Sequence, residues 1–572
     1  MNTDLNHVNG HPRPAPTIGP GTPTDRPPVN TDHPGMNIDR PGMNADRSGG
    51  NTRRPGGKSG GGSGDEGGKK PSAATRLVGL ARERYRFVMS TDARPYAVAI
   101  DGPNLALPLR GKTGVRQRLA RLYADTFEGE VASQSALADA MTVLEGLAED
   151  DDPVPVHLRV GSTPDGRIVV DLGAADGRAV VVAPNHWEIV DRSPVLFRRS
   201  GAMAPMPEPV RSLGGLDRFH ALLNMDRPAF RHLVAWMAAA WLPDIPHPIL
   251  TCKGEQGTGK SMTAQMAINL VDPSPAARRS QPRDEKAWSR QAFTSWALCL
   301  DNISTIPRWL SDTLCKAVTG DGVVDRALFT DDDVVVLSYR RVLAMTTIDA
   351  GALAGDLAER VLMVELQLIE GTRRRSEEEL HTEFEAARPA VLAALLDLLA
   401  GVLAVLPSVR LDSMPRMADF ARVLAAVDQV TGWQTLPDYL AASSNVASDA
   451  LEGDLFGSAV ATLVEQAGTW TGTAAQLLEQ VQPPYGARPL DWPKDATRAS
   501  GRVKRLAPLL RSVGITVDDT QRSRDRTRHK LIVLTRTDPD DVPASALSEP
   551  DPAGLWPEEP PPEPGAYRPD LY

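Results

Sequence analysis

The chain has 572 residues, of which 41% are hydrophobic and 24% are charged, a balance typical of soluble globular proteins. Its formal net charge of −10 argues against a protein that coats nucleic acid along its whole length, although it is compatible with one local basic face. The three cysteines, Cys252, Cys299 and Cys315, are well separated. They exclude a disulfide framework and a four-ligand zinc site, and they favour a reducing cytoplasm.

Both ends of the chain are predicted to be unstructured. Residues 1–72 are rich in glycine and proline, poor in large aliphatic residues, and contain a seven-residue repeat such as TDHPGMN at 31–37. Proline recurs in most of these repeats, which excludes a coiled coil, and a disordered linker is favoured over a partner-binding tail. Residues 538–572 are acidic and proline-rich, which predicts a solvated tail.

No segment favours a membrane. The first residues lack the apolar core of a secretory signal. The longest apolar run, residues 391–406, contains Asp397 and is shorter than the roughly 20 residues that a spanning helix needs. A buried helix and a cytoplasmic protein are therefore predicted.

Between the tails, the residue patterns predict an α/β fold in four parts. These are an α+β domain of open role (73–209), an α/β core (210–375), a helical segment (376–453) and a small helix-then-strand module (454–537). In the first part, apolar residues at helical spacing predict a helix from Arg76 to Met89.

The strongest motif is GEQGTGKS at residues 254–261, which matches the phosphate-loop pattern G-x-x-x-x-G-K-[ST] at every fixed position. In such a loop, backbone N–H groups surround the β-phosphate and the following helix points its dipole at the same anion. Lys260 is expected to contact the β- and γ-phosphates, and Ser261 to ligate Mg²⁺. ATP and Mg²⁺ are therefore the predicted ligands. The residues predicted to bind the nucleotide are Gly254, Glu255, Gln256, Gly257, Thr258, Gly259, Lys260, Ser261 and Met262.

Two later strands end in polar residues that suit the same site. The strand ALCL is followed by Asp301, which is expected to hold Mg²⁺, and by Asn302. Asn302 cannot accept a proton, so it is expected to orient the attacking water, and the water-activating base stays open. A third strand ends in Thr346, which is either a sensor of the γ-phosphate or merely the end of a strand.

Arg360 belongs to the string DLAER, which precedes the apolar run VLMVEL. An arginine at this point is predicted to act as a finger toward the nucleotide of a neighbouring subunit. A structural ion pair with Glu359 or Asp356 is the alternative.

The C-terminal module carries a local excess of positive charge. Residues 494–536 include twelve Lys/Arg and four Asp/Glu, a local net charge of +8. Helices predicted over 458–466, 473–481 and 496–513 precede a hairpin with a basic loop, which is the plan of a winged helix. DNA binding is favoured over a solvated basic face. The candidate DNA contacts are Arg498, Arg502 and Arg505 on the third helix and Arg524, Arg526 and Arg528 on the hairpin loop.

The ordered motifs resemble ATP-binding replication proteins of actinobacterial phages and integrative elements, and more broadly the superfamily-three-type and phage or plasmid primase-helicase ATPases. The matching strings are GEQGTGKS, CLDNIS, WLSDTLCKAVTGDG, RALFTDD, DLAERVLMVEL and PRMADFA. The resemblance spans about residues 75–535 and implies an AAA+-like, homo-oligomeric ring ATPase coupled to DNA strand movement. Ring size is left open, with a hexamer among the options.

The resemblance also implies a β-hairpin between the acidic strand and the sensor strand that faces DNA. Lys316 and Arg326 are the candidate phosphate contacts in that segment, with ordinary surface charge as the alternative. The family usually has Asn at the sensor position, whereas this chain has Thr346. No primase cluster of carboxylates with a zinc motif appears.

The sequence therefore predicts a helicase-type ATPase that acts on DNA in phage or mobile-element replication or maintenance. The alternative is a DNA-bound initiator or regulatory switch, in which ATP sets the assembly state without unwinding. A small-molecule kinase is disfavoured by the chain length, the basic module and the missing lid pattern.

Overall fold

The computed structural model describes residues 71–110, 114–326, 334–348, 355–483, 489, 492–523 and 528–537. The predicted N-terminal linker up to residue 70, the acidic tail, and the hairpin residues Arg524 and Arg526 lie outside the described residues. The described residues belong to one compact unit that begins at Lys70.

The first part of the chain contains two antiparallel sheets. Its elements are α1 (Ala73–Arg84), β1 (Tyr85–Met89), β2 (Pro95–Ala99), β3 (Ala106–Pro108), α2 (Val115–Thr126), α3 (Gln134–Leu147), β4 (Val156–His157), β5 (Val160–Ser162), β6 (Ile168–Asp171), β7 (Ala179–Ala183), β8 (His186–Val190) and β9 (Leu196–Phe197). Strands β1–β3 form one sheet and β5–β8 the other, while β4 and β9 pair in parallel. Helices α1–α3 share a hydrophobic cluster that includes Leu77, Leu119 and Leu144.

The helix predicted from Arg76 to Met89 is wrong in its second half. The Ser72 side chain caps α1 by accepting a hydrogen bond from Thr75 N at 3.1 Å, and α1 ends at Arg84. Tyr85–Met89 instead pairs with Pro95–Ala99 as an antiparallel strand. Aromatic and β-branched residues favour the strand there, because they pack well on a half-buried sheet surface.

The middle of the chain contains a five-stranded parallel sheet. Its elements are α4 (Gly215–His220), α5 (Arg227–Ala239), β10 (Ile249–Lys253), α6 (Lys260–Val271), β11 (Arg278–Arg279), α7 (Glu285–Thr294), β12 (Ala297–Ile303), α8 (Arg308–Thr319), β13 (Asp321–Arg326), β14 (Val334–Tyr339), β15 (Val342–Thr347), α9 (Gly355–Ala358) and β16 (Val361–Glu365). The sheet order is β11-β12-β15-β10-β16, while β13 and β14 form a separate antiparallel hairpin. Because the five strands run in parallel, their carboxyl ends meet at one edge of the sheet.

The chain ends in helices and a small antiparallel sheet. These elements are α10 (Glu377–Val405), α11 (Ala418–Thr431), α12 (Thr435–Gly453), α13 (Leu455–Ala467), β17 (Thr469–Gly472), α14 (Ala474–Gln480), α15 (Ala496–Ser512), β18 (Ile515–Asp518) and β19 (Ile532–Arg536). The sheet order is β17-β19-β18. Strand β17, whose buried Trp470 is paired with Leu534, falls between two predicted helices and was not among the predicted elements.

One described helical stretch, residues 377–408, is long and apolar enough to cross a membrane by length and composition, and its most apolar 18-residue window has a mean hydropathy of 2.4. In this fold it is a core element, since α10 packs against α4, α11 and the strands β7 and β8. Asp397 accepts a hydrogen bond of 2.7 Å from Trp187 Nε1, which ties α10 to that sheet.

The packing does not follow the predicted boundary at residue 209. One hydrophobic cluster joins Val170 and Trp187 of the second sheet to Trp236, Leu250 and Val391. The β5–β8 sheet therefore shares its core with the parallel sheet and with α10, and the four-part division stays a prediction.

A buried ion pair joins the first part of the chain to the parallel sheet. Arg159 Nε donates to Asp272 Oδ1 at 2.8 Å, and both side chains are at most 1% exposed. The other guanidinium nitrogens of Arg159 donate to Asp171 O and Ala204 O. Asp272 Oδ2 accepts from Trp296 N at 2.8 Å and from Ala297 N at 3.0 Å. Every partner of this pair is thus satisfied, although it lies out of water.

We expect Asp272→Asn to destabilise the protein strongly, because it leaves the Arg159 charge buried without its counter-ion. Breaking a buried pair in this way costs about 3–5 kcal/mol. Thermal or urea unfolding measures the loss. The matched control is Asp125→Asn, which breaks the exposed Arg121–Asp125 pair and should change stability by less than about 1 kcal/mol. Equal losses in the two variants would contradict the role given to Asp272.

Candidate functional site

The glycine loop, residues 254–259, connects β10 to α6 at the carboxyl edge of the parallel sheet. Gly254 is required by close approach, since a Cβ there would lie 2.8 Å from Thr258 Oγ1 and 2.9 Å from Leu366 O. Gly259 is the N-cap of α6 and has a φ of 89°, a left-handed conformation that favours glycine. No side chain caps α6, so the first N–H groups of that helix are directed at the loop, a geometry suited to binding an anion.

Lys260 lies folded over the glycine loop. Its Nζ donates to Gly254 O at 2.7 Å and to Glu255 O at 2.6 Å. The ammonium is therefore held inside the curve of the loop by two neutral carbonyls, which a phosphate group can replace as partners.

Three predicted site residues from three separate elements meet at one carboxylate oxygen. Asp301 Oδ1 accepts from Ser261 Oγ at 2.8 Å and from Thr346 Oγ1 at 2.7 Å. Thr346 Oγ1 also accepts from Asn302 N at 2.8 Å. The structure thus brings Ser261, Asp301, Asn302 and Thr346 together beside the start of α6.

A bulge in β12 produces this convergence. The register of β12 against β15 shifts between Leu300 and Ile303, and Asn302 adopts a φ of 59°. A bulge re-aims the side chains around it, and here it aims the Asp301 carboxylate at Ser261 and the Asn302 N–H at Thr346. The sequence analysis found these residues by their strand-end positions but had no signal for the bulge.

Two arginines near the loop escaped the sequence analysis. Arg278 lies on β11, which is an edge strand of the parallel sheet, and its Nη1 is 3.7 Å from Asp301 Oδ2. Arg374 follows β16, and its Nη2 would lie 3.5 Å from a Cβ at Gly257. Neither belongs to a recognisable motif, so only the fold brings them to the loop.

A cavity of about 390 Å³ opens on the side of the glycine loop nearest β16. Its wall includes Lys253, Thr258 and two apolar side chains, Ile348 and Leu368. Ile348 and Leu368 are about 60% exposed, which is unusual for large aliphatic residues beside a polar loop. The cavity therefore offers apolar surface beside the polar loop.

Arg360 is not at this site. It precedes β16 at the amino edge of the sheet, where Arg360 O accepts from Ile249 N at 2.8 Å. Its guanidinium forms an ion pair with Asp356, donates to Asp356 O at 2.8 Å, and is 6% exposed as a residue. This geometry favours the structural ion pair over the predicted finger, because a finger must reach outward to another subunit.

The candidate DNA contacts lie in two places. Lys316 is exposed on α8, and Arg326 ends strand β13 of the hairpin. The string Thr319–Gly322 contains the α8 C-cap, Gly320, with a φ of 90°, and it leads into β13. The implied hairpin is therefore present between β12 and β15, with Arg326 next to its tip.

Helix α15 presents its basic residues on different faces. Arg502 Nη2 donates to Asp454 Oδ2 at 2.6 Å, and the charged groups acting on Arg505 are Arg308, Arg502 and Asp454. Lys504 Nζ instead lies 2.8 Å from Asp519 on the hairpin side. Residues two positions apart lie on opposite sides of a helix, so Arg502 is directed away from the hairpin.

Arg502 and Arg505, which are three residues apart, share a side of α15 that differs from the side of Lys504. A DNA-contacting role for those two arginines stays a prediction. Arg498 is exposed and lies 3.6 Å from Asp495, and Arg528 is exposed in the hairpin.

Two family models match consecutive ranges of the chain. Residues 216–449 match the family described as actinomycete integrative conjugative element replication protein, and residues 456–549 match the AICE RepA C-terminal domain. Together these ranges take in more than half of the chain. The chain belongs to the replication proteins of actinomycete integrative conjugative elements. No curated protein sequence matches it.

Solved structures show only weak likeness. The apo structure of the NrS-1 C-terminal region is 12% identical, with a TM-score of 0.35, covering 81% of this chain and 100% of that one. JCV helicase is 12% identical, with a TM-score of 0.22, covering 41% of this chain and 64% of that one. Both TM-scores are too low to carry an argument about this chain.

The three cysteines are all buried, two in the strands of the parallel sheet and Cys315 on α8. Burial, with a smaller contribution from Asp301, raises the pKa of Cys252 to about 12, and burial raises that of Cys315 to about 12 and that of Cys299 well above its ordinary value. The thiolate is the reactive form, and a thiol with a pKa of 12 is ionised to about 10⁻⁴ at pH 8. We expect no reaction with a thiol reagent at pH 8 in the native protein, and three reactive thiols in denaturant. Rapid native labelling would contradict the described packing.

Proposed function

We propose that this replication protein is a Mg²⁺-dependent ATPase that acts on DNA as a helicase-type motor. The observation that carries the proposal is the meeting of Ser261 and Thr346 on the Asp301 carboxylate, beside the uncapped start of α6. A glycine loop, a helix N-terminus, a hydroxyl and a strand-end carboxylate are the groups that nucleoside triphosphate hydrolysis requires.

The triphosphate would lie in the glycine loop. The N–H groups of α6 and the Lys260 ammonium supply the positive potential, and Lys260 exchanges Gly254 O and Glu255 O for phosphate oxygens. The nucleobase would occupy the cavity between Ile348 and Leu368, which adjoins Thr258. Arg374 would add a second cation over the loop at Gly257.

The donor set fits Mg²⁺, a hard cation that prefers oxygen ligands. Ser261 Oγ and Asp301 Oδ1 lie 2.8 Å apart beside the loop, and both are oxygen donors. When bound, the ion would neutralise charge on the β- and γ-phosphates. Within this chain, Thr346 holds the Asp301 carboxylate in place, and the side-chain carboxamide of the exposed Asn302 would orient a water.

Lys260→Ala removes the ammonium that faces the phosphates, so we expect ATP hydrolysis to fall by about 10²–10³-fold with the fold intact. Asp301→Asn keeps an oxygen that can accept from Ser261 and Thr346, and should retain nucleotide binding while losing Mg²⁺-dependent turnover. The matched control is Lys286→Ala, an exposed lysine on α7, which should hydrolyse ATP at the parental rate. Phosphate release measures all three. Hydrolysis by Lys260→Ala within twofold of the parent would remove the phosphate-loop assignment.

The DNA-binding proposal rests on the C-terminal module, which has the element order of a winged helix: α13, β17, α14, α15, β18 and β19. The starts of α14 and α15 and the hairpin enclose a concavity of about 650 Å³ that includes Thr473, Thr497, Ser500 and Lys530. Hydroxyls and N–H groups at helix starts, together with hairpin cations, are suited to phosphate contacts. Duplex DNA is therefore proposed to bind on this face.

We expect the full-length variant with Arg524→Glu, Arg526→Glu and Arg528→Glu to bind duplex DNA more weakly at every sequence. Each lost phosphate contact should also reduce the slope of log affinity against log salt by about 0.9, because fewer counterions are released. Fluorescence anisotropy at several salt concentrations measures both. The charge-matched control reverses three exposed arginines elsewhere, Arg82, Arg118 and Arg121, and should keep the parental slope. Indistinguishable slopes in the two triple variants would place the DNA surface away from the hairpin.

A second function is favoured by one observation. Because Arg360 is held by Asp356 of its own chain, the described site has no outward arginine at the predicted finger position. A homo-oligomeric, ATP-dependent initiator switch binds nucleotide between subunits without rapid turnover, and needs no such finger. Strand displacement on a forked duplex with ATP distinguishes the two functions, since only the motor separates the strands.

A further inference from the structure

A cluster of arginines surrounds the last turn of α7. Arg279 Nη1 donates to Gln291 O at 3.1 Å, Arg341 Nε donates to Ala292 O, and Arg198 Nη2 donates to Phe293 O at 3.0 Å. The C-terminal end of a helix attracts cations, so the hydrogen bonds to these carbonyls account for the position of one nitrogen of each guanidinium group.

These hydrogen bonds to neutral carbonyls do not neutralise the positive charges of the arginines. Among the residues that the structure describes, Arg198 and Arg341 have no carboxylate within ion-pair distance. Burial lowers the pKa of Arg341 to about 9, with a further contribution from the charge of Arg198, and burial also lowers the pKa of Arg198. Two like charges therefore act on each other, with Arg341 buried and Arg198 half-buried, an arrangement that is costly without a counter-ion.

Both arginines line a cavity of about 250 Å³, which Arg340, His157, Asp92 and Asp244 also border. Asp92 is paired with Arg94 at 3.3 Å, and Asp244 accepts from Ser162 Oγ at 3.2 Å. Arg340 Nε is buried without a hydrogen-bond partner in the described part of the chain. The cavity thus has more cations than anions, and at least one buried donor to spare.

We propose that this cavity, called here the arginine pocket, is an oxyanion site that takes a phosphate group, either free phosphate or a phosphodiester of DNA. Guanidinium groups match phosphate in geometry as well as charge, because their planar N–H forks donate two parallel hydrogen bonds. The site is separate from the glycine loop, and the proposal does not depend on ATP hydrolysis.

The position of the arginine pocket connects it to the β13–β14 hairpin. Arg340 Nη2 donates to Thr319 O at 3.3 Å, just before β13, and Arg341 lies 5.1 Å from the ring of Tyr339, the last residue of β14. On the other side, Arg198 and Thr91 come from the first part of the chain. A phosphate bound here would join both ends of the hairpin base to that part.

The test uses the full-length Lys260→Ala protein, in which the glycine loop has lost its principal phosphate contact. We expect its unfolding midpoint to rise with inorganic phosphate, and not with chloride at matched ionic strength, since a ligand of the native state stabilises it. Adding Arg340→Gln should abolish that rise, while the surface control Arg118→Gln should keep it. This comparison detects free phosphate.

The second arm measures the affinity of the same proteins for a single-stranded oligonucleotide. If the phosphate belongs to DNA, Arg340→Gln should weaken binding roughly tenfold and reduce the salt slope, whereas Arg118→Gln should not. If it is free phosphate, oligonucleotide binding stays unchanged and only the first arm responds. No phosphate-specific stabilisation of the Lys260→Ala protein, together with equal oligonucleotide binding by the two arginine variants, would overturn the proposal. If Arg340→Gln misfolds, Arg340→Lys replaces it in both arms, because it keeps the positive charge and loses the planar N–H fork that the proposal invokes.

Discussion

The carboxylate of Asp272 is the constraint on which the arrangement of the site depends. It follows α6, accepts hydrogen bonds from the two residues at the start of β12, and pairs with Arg159, which lies between β4 and β5, 113 residues earlier in the chain. One buried charge therefore fixes the helix that begins at Lys260 relative to the strand that carries Asp301. Because both members of the pair are out of water, neither can be removed without leaving the other uncompensated. The β5–β8 sheet is in this sense part of the support of the glycine loop.

Most residues of the site could be predicted from the sequence, whereas the contacts that position them could not. A phosphate-loop string and strand-end polar residues are local signals, so Lys260, Ser261, Asp301 and Thr346 could be found without a fold, and the structure brings them together. The bulge at Asn302, and the approach of Arg278 and Arg374 to the loop, depend on contacts between distant segments. No local pattern encodes such contacts, which is why residue spacing missed them.

The predicted helix was too long because the same spacing of apolar residues can occur in a helix and in a strand. Tyr85 and Val88 continue the helical spacing of α1, yet their side chains suit a strand, and pairing with β2 decided the outcome. Arg502 and Lys504 are near neighbours in a basic run, but helical phase sends one to Asp454 and the other to Asp519. Charge counted along a sequence is thus a poor guide to charge presented on one face. For Arg360, the structure shows a buried guanidinium paired with Asp356, and its role as a finger stays a prediction.

Strand β15 has a mechanical consequence. It begins immediately after Arg340 and Arg341, at the foot of the hairpin, and ends at Thr346 and Thr347 beside the Asp301 carboxylate. It lies between β10 and β12, hydrogen-bonded to both, and its six residues span about 20 Å. A strand held on both sides cannot stretch or slip by a fraction of a residue without breaking its ladder. A displacement of the hairpin end of β15 along the strand axis would therefore move the hydroxyl of Thr346 by nearly the same amount.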